Sequence, residues 1–239
     1  MFTKKTSATS HDLRIIKKAI VDILPLAIAT VPWGVLCGSM AVNVGLTAIQ
    51  AQLMSLLVFA GAAQLTAVAL IGTGGTILTI FSSTFVISSR HLLYSAVFRE
   101  QVRKSSKGLR FSIAFFLTDE MFAVTCNYME KYKSFSTVYA LASGVTFYFV
   151  WNISTFVGIV AGQFIPNLEH LGLEFAIAAT FIAIVIPSIK SRSTLVAVLC
   201  SGGSAVISSS FAKEYTLVTS TFIGMSLGYL SQNKVTEHG

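Results

Sequence analysis

Long apolar runs follow one another along this chain with only short polar breaks between them, and that limits how it can fold. The runs lie roughly at 20–44, 49–71, 76–98, 111–129, 137–164, 173–189, 194–210 and 215–230. Most are near the ~20 residues a helix needs to cross a bilayer. A β-barrel would show roughly 10-residue stretches that alternate in polarity, whereas these runs are apolar throughout. Only 11% of the 239 residues are charged, against about 25% in a soluble domain. The expected fold is an all-α integral membrane protein with seven or eight apolar segments. A basic cytoplasmic tail (1–19) leads into a single polytopic transmembrane domain (20–231), and a short tail (232–239) follows.

The formal net charge of +7 would point to nucleic acid in a soluble protein. In a membrane chain such a surplus reflects basic cytoplasmic loops facing lipid headgroups, so membrane lipid is the expected partner and nucleic acid is not. Lys4, Lys5, Arg14, Lys17 and Lys18 precede the first run, and Leu13, Ile16 and Ile20 lie among them at helical spacing. That pattern fits either a short interfacial helix or a loose basic tail that fixes orientation. Cys37, Cys126 and Cys200 stand singly in apolar runs and read as small hydrophobes.

Counting spans exposes a conflict. With the N-terminus inside, three full crossings would put the loop REQVRKSSKGLR (99–110) outside, yet it holds Arg99, Arg103, Lys104, Lys107 and Arg110. Either the positive-inside rule fails there, or one of the first three segments does not cross completely. Broken or re-entrant helices are tolerated at membrane depth where protein buries them or they line a cavity. Pro25, Pro32, Gly34 and Gly38 are candidate breakers in the first segment, and the third is rich in Ser and Thr. A weak internal repeat is also visible. WGVLCGSMAVNVGL (33–46) is similar to FVGIVAGQFIPNLEHLGL (156–173), each with a Gly-x-x-x-Gly pair, Gly34 with Gly38 and Gly158 with Gly162. Repeats with interrupted helices are common in secondary transporters, whose site lies between the repeats.

Ionisable residues inside apolar segments are functional candidates because burying them is costly. Two places qualify. In SSRHLLYS (88–95), a continuous helix would align Thr84, Ser88, His91 and Ser95 as one polar stripe, with Arg90 on a neighbouring face one turn from Tyr94. A guanidinium there can hold a carboxylate with two hydrogen bonds, or simply snorkel to the interface. In FSIAFFLTDEMFAVTCNYM, Asp119 and Glu120 sit at mid-run. A carboxyl in that position can take up and release a proton as its exposure alternates, or pair with Arg90 as a fixed tie between helices. Further candidates for the pathway are Gln64 after Gly61, where backbone can approach closely, and Trp151 with Asn152 in the fifth segment. Trp33 and Trp151 read equally as interface anchors, and Gly224 and Gly228 as a helix contact.

Chemistry beyond transport finds no support in the pattern. GTGGT (72–76) lacks the Gly-Lys-Ser/Thr of a phosphate loop. The four histidines show no zinc-ligand spacing. No catalytic residue, metal or cofactor is expected.

MSLLVFAGAAQLTAVAL (54–70), RHLLYS (90–95), TDEMFAV (118–124) and the stretch from VWNISTFVGIVAGQF to LGLEFAIAATFIAIVIP (150–187) resemble the AzlC family, the large subunit of two-component branched-chain amino acid exporters of bacteria. The resemblance runs from about Pro25 to Pro187. It implies an antiporter in the bacterial inner membrane that exports leucine, isoleucine, valine and analogues such as methionine, driven by protons; the alternative readings are a passive channel and a non-transporting membrane scaffold subunit. It also implies a small AzlD-like membrane subunit as partner. Two positions depart from the family pattern. Ser88 stands where Asn is common, which bears on substrate preference, and Glu174 stands where Asp is common, which keeps the charge.

Overall fold

The computed structural model describes residues 3–164, 179, 182, 185–186, 189–211 and 216–232. Every regular element among them is helical. The chain divides into two compact units, residues 1–181 and 182–239. Glu174 and most of the sixth apolar segment lie outside the described residues.

In the first unit the apolar segments are divided. The first consists of α1 (Thr3–Ala29) and α2 (Val31–Asn43), the second of α3 (Ala48–Val58) and α4 (Gly61–Gly72). The third holds α5 (Ile77–Ser88) and α6 (Arg90–Val102), the fourth α7 (Lys107–Phe116) and α8 (Asp119–Tyr132). The fifth is one unbroken helix, α9 (Thr137–Phe164). The helix α1 runs without a break from Thr3 through the basic residues into the first apolar segment.

Three of the four interruptions have a local cause. Pro32, in the first turn of α2, has no N–H to give and its ring excludes the carbonyl four residues back; α1 and α2 meet there at 51°. Phe59 closes α3 in the left-handed conformation, φ 44°, which costs a bulky residue on the order of 1–3 kcal/mol. Its ring offsets that by packing among Phe115, Phe116, Phe147 and Tyr148, with centroids 4.9 to 6.4 Å away. Leu117 and Thr118 are extended, and the Thr118 hydroxyl caps α8 by accepting from Met121 N at 3.3 Å.

Two of the divided segments fold back instead of crossing. Ser55 on α3 accepts a hydrogen bond from Gln64 on α4 at 2.7 Å, and Ala51 and Val68 share one core cluster with Val44 and Ile159. A Cβ on Gly72 would lie 2.6 Å from Val44 Cγ1, so α4 ends where α2 ends and α3 begins. At 11 residues, α3 is roughly 16 Å long, about half of the ~30 Å hydrocarbon core. The second hairpin enters from the opposite end. Leu92, Ser95 and Arg99 of α6 and Lys107, Arg110 and Phe111 of α7 line one groove. Then α8 runs back alongside α6, with Tyr94 stacked on Phe122 at 4.3 Å and the Phe98 ring tilted against Phe122 at 5.2 Å.

This geometry removes the conflict in span counting. Because α3 and α4 return to the end they came from, the next crossing carries the loop 99–110 to the end that holds the basic tail. Phe98 meets Phe135 there at 5.4 Å, and Asp22 of α1 meets Tyr139 of α9 at 2.7 Å. Lys131 and Lys133 lie at the same end. The turns 44–47 and 73–76, at the other, contain no Lys or Arg. The unit thus shows one motif twice in opposite senses, a broken span followed by a re-entrant hairpin.

The main seam joins α2 to α9, which run parallel. A Cβ on Gly34 would meet Ser154, one on Gly38 would meet the Thr155 carbonyl, and one on Gly158 would meet the backbone of Val35. Gly162 faces Ser39. The described parts of the two similar stretches, 33–46 and 156–164, therefore pack against each other in the same direction, through the small residues they share. In the second unit, α10 (Arg192–Phe211) and α11 (Thr216–Leu230) form an antiparallel pair. Gly224 lies against Ser201 and Gly228 against Ala197, the contact expected of that spacing.

Candidate functional site

The interruptions of all four divided segments meet at one enclosed cavity. Thr30 and Trp33 line it from the first break, Phe59 to Ala62 from the tip of the first hairpin, and Arg90 and His91 from the start of α6. Thr118, Asp119 and Glu120 come from the tip of the second hairpin, and Phe147 and Trp151 from α9. Since α2, α4, α6 and α8 all begin here, four positive dipole ends face one small volume. The cavity is about 30 Å³, room for a water or two, whereas a cavity that takes up benzene is about 150 Å³. In this form the site is closed around water-sized space.

Its polar centre joins α6 to α8. Arg90 Nη2 lies 2.8 Å from Asp119 Oδ2, and the Tyr94 hydroxyl donates to Asp119 Oδ1 at 2.6 Å. Both oxygens of Asp119 are thereby engaged, one by a charge-assisted bond. Glu120, only 9% exposed, faces the cavity beside it. Both acids occupy the first turn of α8, where a carboxylate is favoured by the helix N-terminus. The Thr-Asp-Glu string was legible as a helix start, an N-cap followed by acids. The expectation of a residue pair in the middle of one helix overlooked that signal.

Other candidates take different places. The interruption at Ser89 divides the expected stripe. Thr84 turns its hydroxyl onto the Ile80 carbonyl at 2.7 Å. Ser88 offers its own carbonyl to His91 Nδ1 at 2.9 Å, and Ser95 opens onto the outer groove between α6 and α7. Gln64 is 1% exposed and its amide is used structurally. It accepts from Trp151 Nε1 at 3.1 Å and donates to Ser55, Ser55 donates to Thr155 at 3.0 Å, and Thr155 donates back to the Trp151 carbonyl at 3.0 Å. This closed ring pins the first hairpin to α9. Asn152 serves the same seam, accepting from Gln52 at 3.1 Å. Gly61 is where the Trp151 ring lies, 2.7 Å from the place a Cβ would take. Trp33 and Trp151 are cavity walls and not interface anchors. Thr30, Phe59 and Phe147 were not legible as site residues, because an aromatic or Thr in an apolar run carries no mark of facing a cavity.

The chain is similar to known membrane proteins over most of its length. It is 30% identical over 198 residues to an uncharacterized membrane protein of Archaeoglobus fulgidus, covering 80% of this chain and 83% of that one. It is 24% identical to the inner membrane protein YgaZ of Escherichia coli over 73% of each chain. An uncharacterized membrane protein of Helicobacter pylori is 23% identical over 77% of this chain and 80% of its own. No solved structure matches. The model of the AzlC protein family matches residues 25–165, more than half of the sequence. This membrane protein, with its cavity at the meeting point of two opposed hairpins inside the matched region, belongs to the AzlC family.

Proposed function

We propose that the chain is the translocating subunit of a proton-coupled exporter of leucine, isoleucine, valine and methionine, working with a small AzlD-like membrane subunit in the bacterial inner membrane. The observation that carries the reading is the convergence of four helix N-termini and the Arg90–Asp119–Tyr94 cluster on a closed, aromatic-walled cavity between oppositely inserted hairpins. Discontinuous helices that aim their N-termini at an anionic group are a recurrent way to hold a substrate carboxylate in transporters. Family membership is consistent with a membrane transport role.

In the mechanism this supports, the amino acid carboxylate competes with Asp119 for Arg90 and the helix N-termini, and the released Asp119 faces the substrate ammonium. Trp33, Phe59, Phe147 and Trp151 accept the branched side chain. Such a wall separates substrates differing by a methylene only about 10–200-fold, so selectivity among these amino acids is loose. Glu120, beside the cluster and not tied into it, is the proton carrier. The basic end of the unit faces the cytoplasm by the positive-inside rule, and closure between two access states accounts for the small cavity. The test is efflux of preloaded radiolabelled leucine from cells that express the chain with and without the small subunit. Partner-dependent efflux that collapses with the proton gradient is the expected result. Gradient-independent leak would favour a passive channel, and absence of any branched-chain efflux would end the reading.

A further inference from the structure

A second cavity, of about 410 Å³, opens at the basic end between α1, α8 and α9, lined by Lys18, Asp22, Pro25, Val124, Asn127, Tyr128, Lys131, Tyr132 and Tyr139 among others. Its size lies within the ~300–1,000 Å³ of ligand pockets, unlike the closed cavity above it. Val124 is one helical turn from Glu120 on α8, so the open vestibule and the closed site share a face of one helix.

The chemistry of the vestibule is displayed by a group already in it. The Lys18 ammonium lies 3.1 and 3.0 Å from the two oxygens of Asp22. The Tyr139 hydroxyl donates to the same carboxylate at 2.7 Å, and the Tyr132 ring lies 6.0 Å from the Lys18 nitrogen. Tyr128 stacks between Tyr139 and Tyr132, at 4.1 and 4.6 Å, and fixes the aromatic floor. A carboxylate oriented by a phenol beside an aromatic face is a binding site for a primary ammonium. Lys131, across the Tyr132 ring at 5.7 Å, supplies the opposite requirement, a cation for a carboxylate. Pro25, Val21 and Val124 supply an apolar wall.

We infer that this vestibule is an entry site for a zwitterionic amino acid, in which Asp22 takes the α-ammonium from Lys18, Lys131 takes the α-carboxylate, and the apolar wall takes the side chain. Lys18 is then a tethered stand-in that the substrate displaces. The inference rests on the exporter reading for the choice of leucine as probe, and on the observed ammonium for its chemistry. An alternative role for the same contacts is a plain tie between α1 and α9, and the two roles predict different signs. If Lys18 competes with substrate, Lys18→Gln lowers the KM for leucine several-fold, while Asp22→Asn raises it about tenfold or more, the size of one lost charge-assisted bond. Asp22→Glu keeps the carboxylate and recovers part of the affinity. A structural tie predicts that Lys18→Gln and Asp22→Asn shift expression and maximal rate together and leave KM in place.

Leucine uptake into inside-out vesicles containing the chain and its small subunit reads KM at this face directly. A second measurement is independent of transport. Val21→Cys, with Cys37, Cys126 and Cys200 replaced by serine, is titrated with a methanethiosulfonate reagent with and without leucine. Protection by leucine that disappears with Asp22→Asn establishes the site even if vesicles transport nothing, an outcome that would overturn the exporter reading alone. Transport without protection, or KM unmoved by both substitutions, overturns the vestibule and leaves the exporter standing.

Discussion

At the scale of single residues, the two adjacent acids of α8 have different work. Asp119 is held on both oxygens, by Arg90 and Tyr94, so its loss leaves a guanidinium without its carboxylate in a closed site, a costly state. Glu120 has a cavity in front of it. Glu120→Gln keeps the shape and removes the exchangeable proton. It is expected to abolish leucine efflux driven by a pH gradient while leucine–leucine exchange at equal pH continues. Asp119→Asn is expected to depress both. The comparison is made by counterflow in proteoliposomes at normal protein level, and equal loss in both assays for Glu120→Gln would assign Glu120 to structure. That acids and an arginine at membrane depth are candidate site residues was legible from their charge alone, because apolar runs make any charge conspicuous; the structure brings them to one cavity. Which acid pairs with Arg90 was not, since the pairing is set by where two helices begin, and Asp22, one turn into the first run, passed unremarked beside the basic tail.

At the scale of elements, the α2–α9 seam is the part most sensitive to a single atom. A Cβ at Gly158 would drive into the backbone of Val35, which has no side-chain freedom to yield, while one at Gly203 on α10 meets nothing within 4 Å. Gly158→Ala is therefore expected to cost about 1–3 kcal/mol or more by overpacking. Gly203→Ala gains about 0.5–1 kcal/mol from helix propensity. At about 2–4 °C per kcal/mol, thermal unfolding in detergent separates the two variants in sign, and equal midpoints would refute the close approach. The Gly-x-x-x-Gly pairs were legible as a spacing. Their facing one another was not, because a spacing names a contact surface without naming its partner. The breaks were legible only where proline made one. The turn at Phe59 rests on an aromatic cluster gathered from α3, α7 and α9, contacts between residues far apart in the chain that no local pattern encodes.

At the scale of the first unit, the arrangement of ends is the feature with the widest consequences. Seen as a series of complete crossings, the chain would place residue 73 with the N-terminal tail and residue 104 opposite it. Folding α3 and α4 back reverses both, and it does so with the charge distribution: every Lys and Arg from residue 14 to residue 133 then falls at one end or, for Arg90, at the central cluster. The hairpins enter from opposite ends and their tips touch, Phe59 against Phe115 and Phe116. On the proposed exporter reading they are the two gates of the central cavity, a role that depends on α3–α4 not crossing. Asn43→Cys, Thr73→Cys and Lys104→Cys in a cysteine-free background test it with a membrane-impermeant maleimide on intact cells. Asn43→Cys and Thr73→Cys are expected to label from outside and Lys104→Cys only after permeabilisation. Thr73→Cys protected together with a labelled Lys104→Cys would restore the complete crossing, move the basic loop outside, and remove the first hairpin from the transport cycle.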